Sequence, residues 1–241
     1  MKISIVVPAY NEEKLLGASL RSINTAASAF HECGWETELI VCDNNSTDRT
    51  PEIARAEGAV VVFEPINQIA RARNCGAAAA TGDWLLFIDA DSQPSRELLA
   101  DVADAIASGR YVAGGATVRM DGWFPGMFLF VSLWNGLSRL KKWCAGSFIF
   151  CENEAFRAIG GFSHELFVSE ELDLSQRLHG YARSHGKRMI ILSRHPLLTS
   201  ARKVKLYGHR AHLKFLWKLI RGRGRAMRQR EECAIWYDGR R

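Results

Sequence analysis

Trp84-Leu85-Leu86-Phe87-Ile88-Asp89-Ala90-Asp91 is the stretch whose reading decides the fold. Five apolar residues in a row, without polar alternation, predict a strand buried on both faces, as in the middle of a parallel sheet. The run ends directly in two carboxylates. In open α/β sheets, ligands bind where strands end at their carboxyl side. Two Asp residues spaced by one at such an end can reach a single hard cation, leaving other positions to water and phosphate oxygens. An Asp-x-Asp pair is common by chance, and a turn that uses Asp for local backbone bonds explains it equally well. Its place at the end of an apolar strand favours the functional reading.

Working upstream, Ile3-Ser4-Ile5-Val6-Val7 predicts another buried strand, ended by Pro8-Ala9-Tyr10-Asn11. Asn11 is the expected cap of the next helix, with Glu12 and Glu13 at its positive end. Leu16, Leu20, Ile23, Ala27 and Phe30 then recur at helical spacing. A second strand over residues 38–42 runs into Asp43-Asn44-Asn45-Ser46-Thr47-Asp48. Thr50-Pro51 opens a helix that Gly58 closes. A strand over 59–63 and a helix over 68–80 follow. Downstream, Leu99, Val102 and Ile106 mark a helix ended by Gly109. Strands are expected over 111–120 and 147–151, helices over 154–159 and 172–182, and a last strand over 189–192. This alternation predicts an α/β sandwich on a mostly parallel sheet. Residues 8–12, 43–48 and 89–91 all fall at strand ends, so one shared crevice is expected.

Composition fits a globular chain: of 241 residues, 47% are hydrophobic and 24% charged. Disorder, collagen and coiled coil are excluded as the main state. The six cysteines (33, 42, 75, 144, 151 and 233) form no Cys-x-x-Cys pair. They read as isolated thiols packed in a reducing compartment. The net charge of +6 is uneven, because residues 202–241 carry 13 Lys/Arg against three acids and the remainder is mildly acidic. No signal peptide is expected, since Asn11, Glu12 and Glu13 follow the apolar start without a small-residue cleavage site.

Other residues have chemistry in reach. Asp43 and Asn44 can accept hydrogen bonds from a base or ribose edge, or serve only an Asx turn. Arg71 and Arg73 can pair diphosphate charge, or sit on the surface. Glu170 and Glu171 open a helix, where the dipole alone favours acids; the functional alternative is a general base acting on an acceptor hydroxyl.

Taken together, Val6-Val7-Pro8-Ala9-Tyr10-Asn11-Glu12-Glu13, Asp43-Asn44-Asn45-Ser46-Thr47-Asp48, Ala72-Arg73-Asn74-Cys75-Gly76, Thr81-Gly82-Asp83…Asp89-Ala90-Asp91 and Gly160-Gly161-Phe162…Glu170-Glu171-Leu172-Asp173 resemble a family 2 glycosyltransferase. The likeness spans residues 2–205. It implies the GT-A fold, a three-layer α/β/α sandwich. It also implies inverting transfer of a sugar from a nucleotide-diphosphate sugar to an acceptor hydroxyl, with Mn²⁺ or Mg²⁺. Carried over by position, Pro8, Tyr10, Glu12, Asp43, Asn44, Arg73, Ala90 and Arg202 belong to the nucleotide pocket. Asp91, with Asp89, holds metal and diphosphate. Glu171 stands where the family usually has a catalytic Asp, with Glu170 the fallback base. Asn44 stands where many members have Asp, which leaves the nucleotide open. His195 is a lesser candidate metal ligand.

Residues 122–138 are rich in large apolar groups, among them Phe128, Leu129, Phe130, Leu133 and Trp134. They read either as a core helix or as an apolar surface for a lipid or aglycone, and not as a membrane span. Residues 206–241 read as a basic amphipathic extension, with Leu213, Leu216, Trp217 and Ile220 on one face. Such a segment suits an anionic membrane surface. The expected acceptor class is therefore a lipid-linked or cell-envelope glycan, and the expected place is the cytoplasm, at the inner face of a membrane. A non-catalytic nucleotide-sugar binder and a basic-tail nucleic-acid binder are the competing readings. The second lacks a recognition motif, and no nucleic-acid partner is expected.

Overall fold

The computed structural model describes residues 1–122 and 127–202. In chain order the elements are β1 (Lys2–Ala9), α1 (Leu16–Ala26), α2 (Ser28–Glu32), β2 (Glu36–Asp43), α3 (Thr50–Ala56), β3 (Val60–Phe63), α4 (Ile69–Ala79), β4 (Trp84–Ile88), β5 (Ser92–Gln93), α5 (Arg96–Ala107), β6 (Tyr111–Met120), α6 (Met127–Lys141), β7 (Phe148–Glu152), α7 (Asn153–Ala158), α8 (Glu170–Ser184) and β8 (Arg188–Thr199).

The strands form one sheet in the order β3-β2-β1-β4-β7-β6-β8-β5. The half built from β3, β2, β1 and β4 is parallel, and β7 then runs antiparallel to both β4 and β6. β6 and β8 are parallel again. Every residue of β4 is buried, as its uninterrupted apolar run requires. Alternation splits each central strand between two cores. Ile3, Ile5, Val7, Leu86 and Ile88 face α1, α2 and α5. Val6, Leu85 and Phe87 face α4, α7 and α8. Three layers result, with helices on both faces of the sheet.

Close packing of α4 depends on small residues. A methyl group at Gly76 would lie 2.4 Å from Val6 Cγ1, so only glycine lets this helix settle on β1.

Some boundaries depart from expectation. α1 begins at Leu16, without a side-chain cap. Asn11 is instead in the left-handed region (φ 51°) and its Oδ1 accepts from the Thr47 backbone N–H at 2.8 Å. A loop-to-loop bond has taken the side chain that the sequence suggested as a cap. β8 runs seven residues beyond the expected 192, with irregular register opposite Ala116/Val118. The core-helix alternative for residues 122–138 is overturned. α6 lies on the surface, with Phe128, Leu129, Phe130, Leu133, Leu137 and Leu140 exposed. Among the described residues, no helix is long and apolar enough to cross a membrane. The expected basic extension, 206–241, lies outside the described residues.

Candidate active site

At the carboxyl ends of β1 and β2, polar loop residues tie two loops into one wall. The Asn11 N–H donates to Ser46 Oγ at 2.9 Å, and the Glu12 N–H to Thr50 Oγ1 at 2.7 Å. The Asn44 N–H donates to the Ala9 carbonyl at 2.8 Å, extending the β1–β2 ladder by one bond. Asp43 is buried at the end of β2, and its Oδ1 caps the turn by accepting from the Ser46 N–H. Pro8 is buried and Tyr10 half-buried in the same wall.

Asn44 was expected to meet a base. Its side chain is instead spent on the following loop. Nδ2 donates to the carbonyls of Glu64 and Ile66, and Oδ1 accepts from the Gln68 N–H. With the residue 3% exposed, these bonds make Asn44 the clamp that fixes the β3–α4 loop.

β4 delivers Asp89 and Asp91 beside this wall, with Ala90 buried between them. Each carboxylate meets a different arginine. Arg73, on α4, was expected at a diphosphate but is only 1% exposed. Its Nη2 donates to Asp89 Oδ1 at 3.0 Å and to the Gly146 carbonyl at 2.8 Å, and its Nη1 donates to Glu170 Oε1 at 2.6 Å. The guanidinium also lies 5.1 Å from the Phe162 ring centroid. Burial alone would lower its pKa. The charges of Asp89, Glu170 and Glu171 more than reverse this and hold it above its ordinary value. Arg73 is thus a bolt joining β4, α8 and the loop after α6. Its type was legible as a charge near the site; its burial was not, since a lone arginine on a helix gives no sign of which way it points.

Asp91 meets Arg202, which follows β8. Arg202 Nη2 donates to Glu12 Oε1 at 2.8 Å and lies 3.6 Å from Asp91 Oδ2. Burial lowers the Arg202 pKa, and the bond to Glu12 with the charges of Glu12, Asp91 and Asp121 raises it on balance. Nε and Nη1 of Arg202 are buried and have no hydrogen-bond partner among the described residues. Two such N–H groups beside a strand-end carboxylate make a ready seat for an anion. Residues 190 positions apart in the sequence, Glu12 and Arg202, thereby share the crevice with Asp91.

The two acids at the start of α8 separate cleanly. Glu170 is 4% exposed and bound to Arg73; burial pushes its carboxyl up against the pull of that guanidinium. Glu171 is half-buried beside Gly146 and makes no salt bridge among the described residues. Burial first, then the neighbouring Glu170, pushes its carboxyl up to about 8. Ser169, just before them, adopts the left-handed conformation (φ 65°), a strained turn at the start of α8. Burial thus raises both carboxyls, and what separates them is the bond to Arg73, which engages Glu170 and not Glu171 among the described residues.

His195 is drawn away from the carboxylate pair: its Nδ1 lies 3.0 Å from Asp101 Oδ2 on α5. Among the described residues, no group of three or more His, Cys, Asp or Glu side chains is gathered as for an all-protein metal cage.

The sequence model of the family described as Glycosyl transferase family 2 matches residues 4–156. Among named proteins, the uncharacterized glycosyltransferase YfnE of Bacillus subtilis (strain 168) is 37% identical over 105 residues, 42% of this chain and 26% of that protein. The chain thus spans well under two thirds of the length of such relatives. Among solved structures, S. aureus TarS in complex with UDP-GlcNAc superposes with a TM-score of 0.66 at 22% identity, covering 99% of this chain and 79% of that one. The mannosyltransferase PcManGT from Pyrobaculum calidifontis, in complex with GDP-Man and Mn²⁺, gives 0.66 at 23% identity, covering 94% and 62%. At these identities the likeness is one of fold.

Proposed function

The chain belongs to glycosyl transferase family 2 and has the GT-A fold, and from that premise we propose that it transfers a sugar from a nucleotide-diphosphate sugar to an acceptor hydroxyl with inversion. The observation that carries the reading is Arg202: beside Asp91 it holds two buried N–H groups that have no partner among the described residues. A leaving diphosphate needs such donors, and an incoming hydroxyl needs a base.

In this reading Glu171 takes the proton of the acceptor hydroxyl. The freed oxygen attacks the anomeric carbon from the face opposite the diphosphate, and the bond from that carbon to the diphosphate oxygen breaks with its electron pair. Arg202 stabilises the charge left on the diphosphate. Asp43 and Tyr10 line the wall where the nucleoside lies. Arg73, bonded to both Asp89 and Glu170, holds the end of β4 and the start of α8 at a constant spacing.

Asp89 and Asp91 are hard oxygen donors suited to Mn²⁺ or Mg²⁺. With two carboxylates and no third protein ligand gathered among the described residues, the set fits a cation completed by substrate oxygens and water. Such a cation supplies positive charge for the diphosphate. PcManGT with GDP-Man and Mn²⁺, and TarS with UDP-GlcNAc, support a donor of this class. The acceptor that suits the reading is a lipid-linked or cell-envelope glycan met at the inner face of a membrane, with residues 206–241 as a separate basic extension.

Glu171→Gln tests the reading. Turnover of the correct donor and acceptor is expected to fall by about 10³-fold, on the order of the loss of a general base, while nucleotide binding stays within about twofold. Unchanged turnover contradicts the assignment of the base. Loss of nucleotide binding and turnover together contradicts the division of roles.

A further inference from the structure

α6 inverts the usual pattern of a surface helix, which buries its apolar side and shows polar residues to water. Its inner side carries polar anchors beside the half-buried Val131 and Trp134. Asn135 Nδ2 donates to the Val118 carbonyl at 2.9 Å, its Oδ1 accepts from the Val118 N–H at 3.0 Å, and Ser138 Oγ donates to the Trp143 carbonyl at 2.6 Å. Its outer face is apolar. Leu129, Phe130, Leu133, Leu137 and Leu140 recur at helical spacing on that side and are 40–77% exposed, with Phe128 at 78%. The clamp on β6 fixes the helix so that this stripe cannot turn inward. Arg139 and Lys141 flank the stripe in the last turn and Lys142 follows, while residues 127–142 contain no acid. Fifteen residues broken by Ser132, Asn135 and Gly136 are too short and too polar to span a bilayer. A stripe of this kind between cations suits a helix lying in the headgroup boundary, with its lysine and arginine stems reaching back to phosphate.

We propose that α6 is a membrane-docking helix that inserts its outer stripe into the surface of a bilayer rich in anionic lipid. Charge decides between this occupant and those the chain itself could supply. A second copy would bring three more cations and, since residues 127–142 contain no acid, no carboxylate from its own helix to pair with Arg139, Lys141 and Lys142. The basic segment 202–241, with 13 Lys/Arg against three acids, would bring like charge to the same rim. An anionic headgroup layer complements it. The proposal holds whether or not the transfer reading does, because α6 contributes no residue to the Asp89–Arg73–Glu170 or Asp91–Arg202 contacts.

The test is co-sedimentation of the full chain with phosphatidylcholine vesicles and with vesicles containing about 30% phosphatidylglycerol, a fraction at which each basic residue near the surface contributes measurably. The unmodified chain is expected to pellet with the anionic vesicles. L133D/L140D alters two exposed positions and is expected to weaken that binding roughly tenfold or more, as the loss of two inserted leucines requires. R139Q/K141Q is expected to erase most of the preference for anionic over neutral vesicles. Melting midpoints and nucleotide-induced shifts of both variants should match the parent, which separates a docking defect from misfolding. Three results overturn the proposal. The parent chain does not pellet with anionic vesicles; L133D/L140D pellets as well as the parent; or the parent is a dimer that L133D/L140D converts to monomer, which would assign the stripe to a second copy.

Discussion

Arg73 carries three interactions that a sequence reading gives no means of counting: Asp89, Glu170 and the Gly146 carbonyl, all from one buried fork. Removing one partner of a buried charge cluster leaves the others uncompensated, at a cost of about 3–5 kcal/mol. Arg73→Met should therefore lower the melting midpoint by roughly 10 °C in a chain of this size. The double variant Arg73→Met/Glu170→Met should recover a large part of that loss, because the stranded carboxylate goes with its partner. Thermal melts of the two single variants and the double complete the cycle. Arg73→Lys should fall between, since a compact ammonium cannot bridge all three acceptors. A midpoint within a degree of the parent for Arg73→Met would contradict the role as a bolt. At this scale the sequence was informative about residue type and uninformative about direction. Asp89 and Asp91 stand at a strand end, a place legible from the sequence alone, whereas Glu171 was singled out only through the family resemblance. Arg73 and Asn44 sit in positions where solvent and interior are equally compatible with the local pattern, and tertiary partners from 16 to 97 residues away decide between them.

Elements were most legible where burial is two-sided. The apolar runs of β1 and β4 leave no choice of face, and both strands appear where their residues predict. Legibility fell where a side chain served another loop, as Asn11 does in place of capping α1. It fell again at α6, whose composition reads as core while its polar inner anchors and apolar outer face are fixed by two bonds to Val118. The seating of α4 on β1 rests on the missing side chain of Gly76. Gly76→Ala gains helix propensity but forces a methyl to within 2.4 Å of Val6 Cγ1 in a filled core. Overpacking of this kind costs about 1–3 kcal/mol, so denaturant unfolding should show a lower midpoint at unchanged slope. A gain in stability would mean that α4 is free to shift, and with it Arg73.

At the scale of the whole molecule, the residues at the ends of β1, β2, β4 and β8 lie on the side of the sheet where the parallel strands end. The shared crevice was legible because parallel strands carry their carboxyl ends to the same side. The pairing of Glu12 with Arg202 was not, because it requires β8 to run on past residue 192 and return the chain to β1. In the proposed function these strand ends hold a nucleotide diphosphate through Arg202 and a cation on Asp89 and Asp91. The most direct measurement is a thermal-shift panel of UDP, GDP, CDP and dTDP, each with Mn²⁺ and with EDTA, on the parent chain, Asp91→Asn and Arg202→Gln. At a ligand concentration near 100 Kd, binding stabilises by about 2.7 kcal/mol, a rise of roughly 5–10 °C. One nucleotide should give that rise in the parent with Mn²⁺, lose most of it in EDTA, and lose it in both variants. A folded parent that responds to none of the four, or responds equally with EDTA and in Asp91→Asn, would contradict the account.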